Sequence, residues 1–253
     1  MMLMVILFVF LHLPVYQMKE EKLQCPHVCF CSNKTVATCK DLKIDGINTV
    51  KEGKFETVIE QLDFSGNKLS SINPDTFSIW NVLNLHFFNL SGNNIVNVTK
   101  ITFVGFLVLE NLDLSSNNIS WIDRDAFDFT PRMTVLHLRS NRLTEISSHI
   151  FSSLEHLRHL DLSHNMITSI QPDTLHNNSV LEWLSLANNS LTEIRPDTLR
   201  LLRHLRHLDL SHNMISSIQP DTFHNSSVVE WLSLANNSLT KIHPIIVLFE
   251  TKL

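Results

Sequence analysis

Residues Leu157 to Pro196, LRHLDLSHNMITSIQPDTLHNNSVLEWLSLANNSLTEIRP, return almost unchanged as Leu205 to Pro244, with six of the 40 positions different. Each copy holds two units of 24 residues that share the frame L-x-x-L-x-L-x-x-N-x-L-x-x-I, and the frame continues outward in both directions. Its least replaceable position is an asparagine, at Asn67, Asn93, Asn117, Asn141, Asn165, Asn189, Asn213 and Asn237, spaced by 26 residues once and by 24 six times. A period of this size marks a solenoid, in which a unit cannot bury its apolar face alone and stacks on its neighbours.

Within the frame, L-x-x-L-x-L predicts a short strand whose alternate side chains point inward. Leu160 and Leu162 face the core, while His159, Asp161 and Ser163 face out. The asparagine follows at a bend, where its amide can both donate to and accept from backbone groups that have no ladder partner. A second apolar position, Phe77, Phe103, Phe127, Phe151, Leu175, Leu199 and Phe223, is expected to stack as a spine.

The outward positions form rows across the expected strands. One reads Gln61, Phe87, Asn111, Val135, His159, Trp183, His207, Trp231, and the next reads Asp63, Asn89, Asp113, His137, Asp161, Ser185, Asp209, Ser233. Aromatic residues beside polar ones have the composition of interface centres. The candidate ligand-binding residues are therefore His137, Arg139, His159, Asp161, Trp183, His207, Asp209 and Trp231. Trp183 and Trp231, two strand spacings or roughly 10 Å apart, are read as paired subsites. An equally open reading is that cross-strand His–Trp stacking only stabilises the sheet. With histidine at its ordinary pKa of ~6.5, mild acid is expected to modulate binding.

Catalytic constellations are missing: there is no G-x-S-x-G, no H-E-x-x-H and no glycine-rich phosphate loop, so neither an enzyme nor a cofactor is expected. The 14 histidines include the pairs His156/His159 and His204/His207, but the frame puts one member of each pair on a turn and the other on a strand. His159 and His207 lie roughly 10 Å apart, too far for two imidazoles on one zinc, which need nitrogens within about 4 Å. No metal site is expected.

The chain of 253 residues is 43% hydrophobic with a formal charge of −5 and no basic run, which argues against a nucleic-acid partner. It opens with MMLMVILFVFLHLPVY, without a Lys, Arg, Asp or Glu before Lys19. Residues 1–18 read as a signal peptide, with an uncleaved signal anchor as the alternative, so the chain is expected to be secreted or membrane-anchored. All four cysteines, Cys25, Cys29, Cys31 and Cys39, fall in CPHVCFCSNKTVATCK, just ahead of the repeats. An even cluster behind an apolar leader reads as two disulfides, and the spacings do not match the paired knuckles of zinc sites.

The pattern C-P-x-x-C-x-C, a fourth cysteine, and 24-residue units with a late phenylalanine resemble the extracellular leucine-rich-repeat proteins, among them Toll-like receptor ectodomains, Slit, chaoptin and the acid-labile subunit. The resemblance spans about residues 25 to 243. It implies an α/β fold: a leucine-rich-repeat solenoid, curved as a horseshoe, with short parallel strands on the concave face and irregular or short helical convex segments. It also implies Cys25 paired with Cys31 and Cys29 with Cys39. The domain layout would be a signal segment (1–18), a cysteine-rich cap (19–58), eight repeats (59–243) and a short apolar tail (244–253).

The chain departs from those relatives in having no cysteine after Cys39, and the apolar run Ile245 to Phe249 is too short to span a bilayer. That tail is expected either to fold back over the last repeat or to leave an edge that forms a homodimer. Acceptor sequons for N-glycans occur at Asn33, Asn89, Asn97, Asn118, Asn177, Asn188, Asn225 and Asn236, and a glycan on Asn89 would obstruct the N-terminal half of the outward face. The reading is a recognition module for an extracellular protein or glycan, with adhesion, guidance or innate immune recognition as roles the resemblance allows. The alternative is a matrix or carrier scaffold, or a fragment of a receptor.

Overall fold

The structure, a computed structural model, describes residues 29–32, 35–45, 55, 58–73, 82–223, 229–240 and 250–252. One sheet runs through the described residues. It begins with β1 (Phe30–Cys31) and β2 (Val36–Thr38), which pair antiparallel. From β2 onward every pairing is parallel, through β3 (Gln61–Asp63), β4 (Phe87–Asn89), β6 (Asn111–Asp113), β8 (Val135–His137), β9 (His159–Asp161), β10 (Trp183–Ser185), β12 (His207–Asp209), β14 (Trp231–Ser233) and β15 (Glu250–Lys252). The intervening numbers belong to two side sheets, β5 (Asn97–Val98) with β7 (Trp121–Ile122) and β11 (Glu193–Ile194) with β13 (Ser217–Ile218). The backs of the units are mostly irregular, with a helical turn α1 (Pro196–Leu199) and a 3-10 turn (Pro220–Phe223).

From β2 onward the strands of this sheet are three residues long: an outward pair, such as Gln61 and Asp63 in β3, flanks one residue that enters the core. Leu62, Phe88, Leu112, Leu136, Leu160, Leu184, Leu208 and Leu232 are adjacent in register and have no exposed surface. The spine forms where it is phenylalanine. Phe103 and Phe127 stack at 6.0 Å, and Phe127 and Phe151 at 6.2 Å. Leu175, Leu199 and Phe223 continue it as buried residues, while Phe77 lies outside the described residues.

Each repeated asparagine ties its unit to the one before. The Asn165 Oδ1 accepts the Leu143 N–H at 3.1 Å, and its Nδ2 donates to the Leu138 and Leu162 carbonyls at 3.0 Å each. The same three bonds recur at Asn93, Asn117, Asn141, Asn189, Asn213 and Asn237. Asn67, in the first repeat, bonds into the cap: it accepts from the Leu42 and Ile44 N–H groups and donates to the Cys39 carbonyl. These buried bonds replace the ladder that a strand loses where it bends away.

The cap carries the Cys29–Cys39 disulfide, as the resemblance implies. Cys31 is also disulfide-bonded, and Cys25, its expected partner, lies outside the described residues. At the other end, β15 pairs with β14 in the register Trp231–Glu250, Leu232–Thr251, Ser233–Lys252. The outer edge of β14 is thus occupied by the chain's own residues. The expected fold-back of Ile245 to Phe249 lies outside the described residues.

Candidate binding face

The outward rows lie in the register that the frame requires, with Val135, His159, Trp183, His207 and Trp231 side by side on β8, β9, β10, β12 and β14. Parallel pairing brings equivalent positions within about 4.8 Å, slightly more than the ~3.5–4.0 Å at which ring carbons touch, so rings in one row must stack or splay. They stack. His159 and Trp183 have centroids 3.9 Å apart, Trp183 and His207 5.2 Å, and His207 and Trp231 3.9 Å, with planes 4°, 14° and 8° from parallel. His137, one row over, closes the column edge-on against His159 at 5.0 Å.

The column changes two expectations. His207 fills the space between the tryptophans, so Trp183 has a ring against each face and the two indoles are members of one ridge, which presents ring edges. The mild-acid expectation is also corrected. Burial, then the neighbouring His137, pushes His159 down to about 4, and Asp161 offsets only part of this. Burial likewise lowers His207, against the pull of Asp209. Stacking covers the imidazoles and disfavours their charged form, so both are neutral near pH 7.

On one flank of the column, side chains pair across neighbouring strands: Arg158 with Glu182 and Arg206 with Glu230 at 3.2 Å as ion pairs, and the His86 Nδ1 with the Glu110 Oε1 at 3.1 Å as a hydrogen bond. On the other flank run Asp113, Asp161 and Asp209. Each Oδ1 accepts a backbone N–H two residues on, from Ser115 at 2.8 Å, Ser163 at 2.9 Å and Ser211 at 3.0 Å. Asn89 makes the same turn with Ser91 at 3.0 Å. Arg139 stands beyond His137, its Nη1 3.4 Å from the Ser163 Oγ. The eight candidate binding residues therefore share one face of the sheet.

A further row, not evident from the spacing, lies just ahead of the ladder asparagines. The residue before each ladder asparagine, Gly66, Gly92, Ser116, Ser140, His164, Asn188, His212 and Asn236, has φ between 53° and 68°. This left-handed bend turns the chain off the sheet, and it accounts for glycine or asparagine at four of the eight positions. The signal was present, but obscured by the serines and histidines. On this rim, burial and then Arg139 lower the pKa of His164, and the Asn236 Nδ2 lies 3.1 Å from the His212 Nε2.

Among the acceptor asparagines, Asn89 lies on the outward face, Asn97 and Asn177 are exposed elsewhere, Asn118 is half-buried, and Asn188 and Asn236 sit on the rim. Asn33 and Asn225 lie outside the described residues. No group of three or more metal-ligating side chains occurs among the described residues.

The leucine rich repeat profile matches residues 59–80, 83–141, 131–191, 167–215 and 179–239. The chain is a leucine-rich-repeat protein. Tsukushi of Gallus gallus is 37% identical over 70 residues, which are 28% of this leucine-rich-repeat chain and 19% of Tsukushi. The crystal structure of the TLR13–ssRNA13 complex matches with a TM-score of 0.67 and 29% identity over 74% of the chain, though over 26% of that receptor chain. An internalin, inlF, from Listeria monocytogenes str. 4b F2365 matches with a TM-score of 0.64 over 82% of this chain and 56% of its own; at 22% identity it shows the fold alone. This leucine-rich-repeat chain thus spans about a fifth of Tsukushi and a quarter of the TLR13 chain.

Proposed function

We propose that this leucine-rich-repeat chain is a secreted or cell-surface recognition module that binds an extracellular protein or glycan on the outward face of its sheet and carries out no chemistry of its own. The observation that carries the reading is the five-ring column from His137 to Trp231. Its ring nitrogens make no hydrogen bond to another described residue, and its members are held rigid by one another. A preorganised aromatic ridge loses little conformational freedom on binding, which is the property of interface anchors. His137, Arg139, Asp161 and Asp209 supply the polar rim. The Cys29–Cys39 disulfide supports an oxidising compartment, and no helix among the described residues is long and apolar enough to cross a membrane.

The same stack supports a second reading, a matrix or carrier scaffold, because rings that satisfy one another stiffen a sheet without any ligand. A binding screen of the protein recovered from culture medium, against extracellular proteins and a glycan array, separates the two. A binder that weakens with Trp183→Ala or Trp231→Ala supports recognition. Self-association with no binder supports the scaffold.

A further inference from the structure

The column and its acidic flank together restrict what the face can hold. A sugar ring or a nucleobase stacks on the face of an aromatic side chain, and both faces of Trp183 are covered, at 3.9 Å by His159 and at 5.2 Å by His207. Trp231 carries His207 on one face, and on its other side β15 runs alongside with Glu250 in register. Along the rest of the column what remains is a ridge of ring edges carrying N–H groups, which suits the side chains and backbone carbonyls of a protein.

Charge narrows the choice further. Arg158 and Arg206, on one side of the ridge, are paired with Glu182 and Glu230 and are neutralised. Asp113, Asp161 and Asp209, on the other side, form no ion pair with a described residue; Asp161 is 8% exposed, and Arg139 stands near it with its Nη1 3.4 Å from the Ser163 Oγ. Each uses Oδ1 for its own turn and leaves Oδ2 without a hydrogen bond to a described residue. They stand on every second strand, roughly 10 Å apart, which matches positions i and i+7 on one face of a helix, about 10.5 Å. A row of unpaired carboxylates repels phosphates and sulfates and attracts Lys and Arg.

We propose that the occupant of this face is a protein helix lying along the ridge, with apolar side chains against the ring edges and Lys or Arg at seven-residue spacing reaching Asp161 and Asp209. The inference rests on the reading of the face as the binding site, and it assigns the partner's chemistry.

The test uses three probes against the full secreted chain: a displayed library of single-helix peptides with randomised exposed positions, an array of neutral and sulfated oligosaccharides, and single-stranded RNA oligonucleotides. The expected result is selected helices enriched in Lys or Arg at i and i+7. Their affinity should fall at least tenfold with Asp209→Ser and fall again as salt rises, while Glu193→Gln on β11, an equal change in net charge, leaves it unchanged. Serine stands naturally in the same row at Ser185 and Ser233, so the substitution keeps the strand. No selectable helix, or selected helices that are acidic or indifferent to Asp209→Ser, would overturn the assigned partner. A glycan or RNA that binds and is weakened by Trp183→Ala but not by Asp209→Ser would overturn it too, yet would leave the face as the site. Binders indifferent to both Trp183→Ala and Trp231→Ala would remove the site itself.

Discussion

His159 lies face to face with Trp183 at 3.9 Å, and 48 residues later His207 lies on Trp231 at the same distance. The duplicated block has copied a two-ring contact, and the 5.2 Å contact of Trp183 with His207 fuses the copies into one column. A single cross-strand pair contributes a few tenths to ~1 kcal/mol. A column couples several strands, so loss of one ring is felt by its neighbours.

The first consequence concerns pH. Folded His159 takes up a proton only near pH 4, against an ordinary value of 6.5, and His207 is lowered as well. As pH falls, the unfolded chain protonates first. The contribution of these groups is complete above about pH 6.5 and is lost between there and pH 4. Urea unfolding across that range should show a declining midpoint, and His159→Phe, which keeps a ring but cannot titrate, should flatten the decline. Equal slopes in parent and variant would show that the column does not set the dependence.

Trp183 sits between two histidines, whereas among the described residues Trp231 has a ring, His207, on one face only. Trp183→Ala should therefore destabilise more than Trp231→Ala, by roughly 1–3 kcal/mol against about 1 kcal/mol or less. Chemical denaturation of both variants gives the comparison, and the reverse order would count against the stacking account.

Asn165→Ala would leave the buried Leu143 N–H without its side-chain acceptor and would take one of two amide donors from each of the Leu138 and Leu162 carbonyls, which keep Asn141 and Asn189. At ~1–3 kcal/mol for the unsatisfied N–H and about 0.5–1.5 kcal/mol for each of the two carbonyl bonds lost, the expected loss is roughly 2–6 kcal/mol. Hydrogen exchange should show it first at β8 to β10, since each repeat touches only its neighbours. A uniform loss of protection along the chain would mean that the repeats unfold as one unit.

Replacing Cys29 and Cys39 by serine should cost about 2–5 kcal/mol, appearing as early loss of protection in β2 and β3, which the disulfide secures through Cys39. Mass mapping of non-reduced peptides from the secreted chain checks the pairing directly. Recovery of free thiols at these two positions would contradict it.

Removing residues 244–253 would strip β15 and bare the ladder groups of β14. Unpaired edges recruit other strands, so the shortened chain should elute as a dimer or larger while the parent stays monomeric. If it remains a monomer, β15 does not protect that edge.

Most of the fold was legible because the leucines and asparagines that build it occupy invariant places in the period, and the outward rows followed from strand alternation. The column was only half legible. Spacing put His159, Trp183, His207 and Trp231 in one row, but whether rings of one row stack or splay depends on side-chain torsions that spacing does not encode. Two features lay outside the pattern altogether. Glu250 to Lys252 carry no leucine, and Thr251 stands opposite Leu232. Asn178, wholly buried and donating to the Phe151 and Leu154 carbonyls at 3.1 and 2.8 Å, has serine at the matching place of the second copy and so left no periodic trace.

The turn that follows each outward strand has an evolutionary side. Asp113, Asp161 and Asp209 each precede Leu-Ser, and Asn89 already precedes Leu90-Ser91 while making the same bond to the N–H two residues on. Exchange of one carboxylate oxygen for an amide nitrogen would keep that turn and write a glycan acceptor onto the face. Each of these strands is therefore one substitution away from being masked, and a lineage of such chains can widen or close its usable surface strand by strand without disturbing the core.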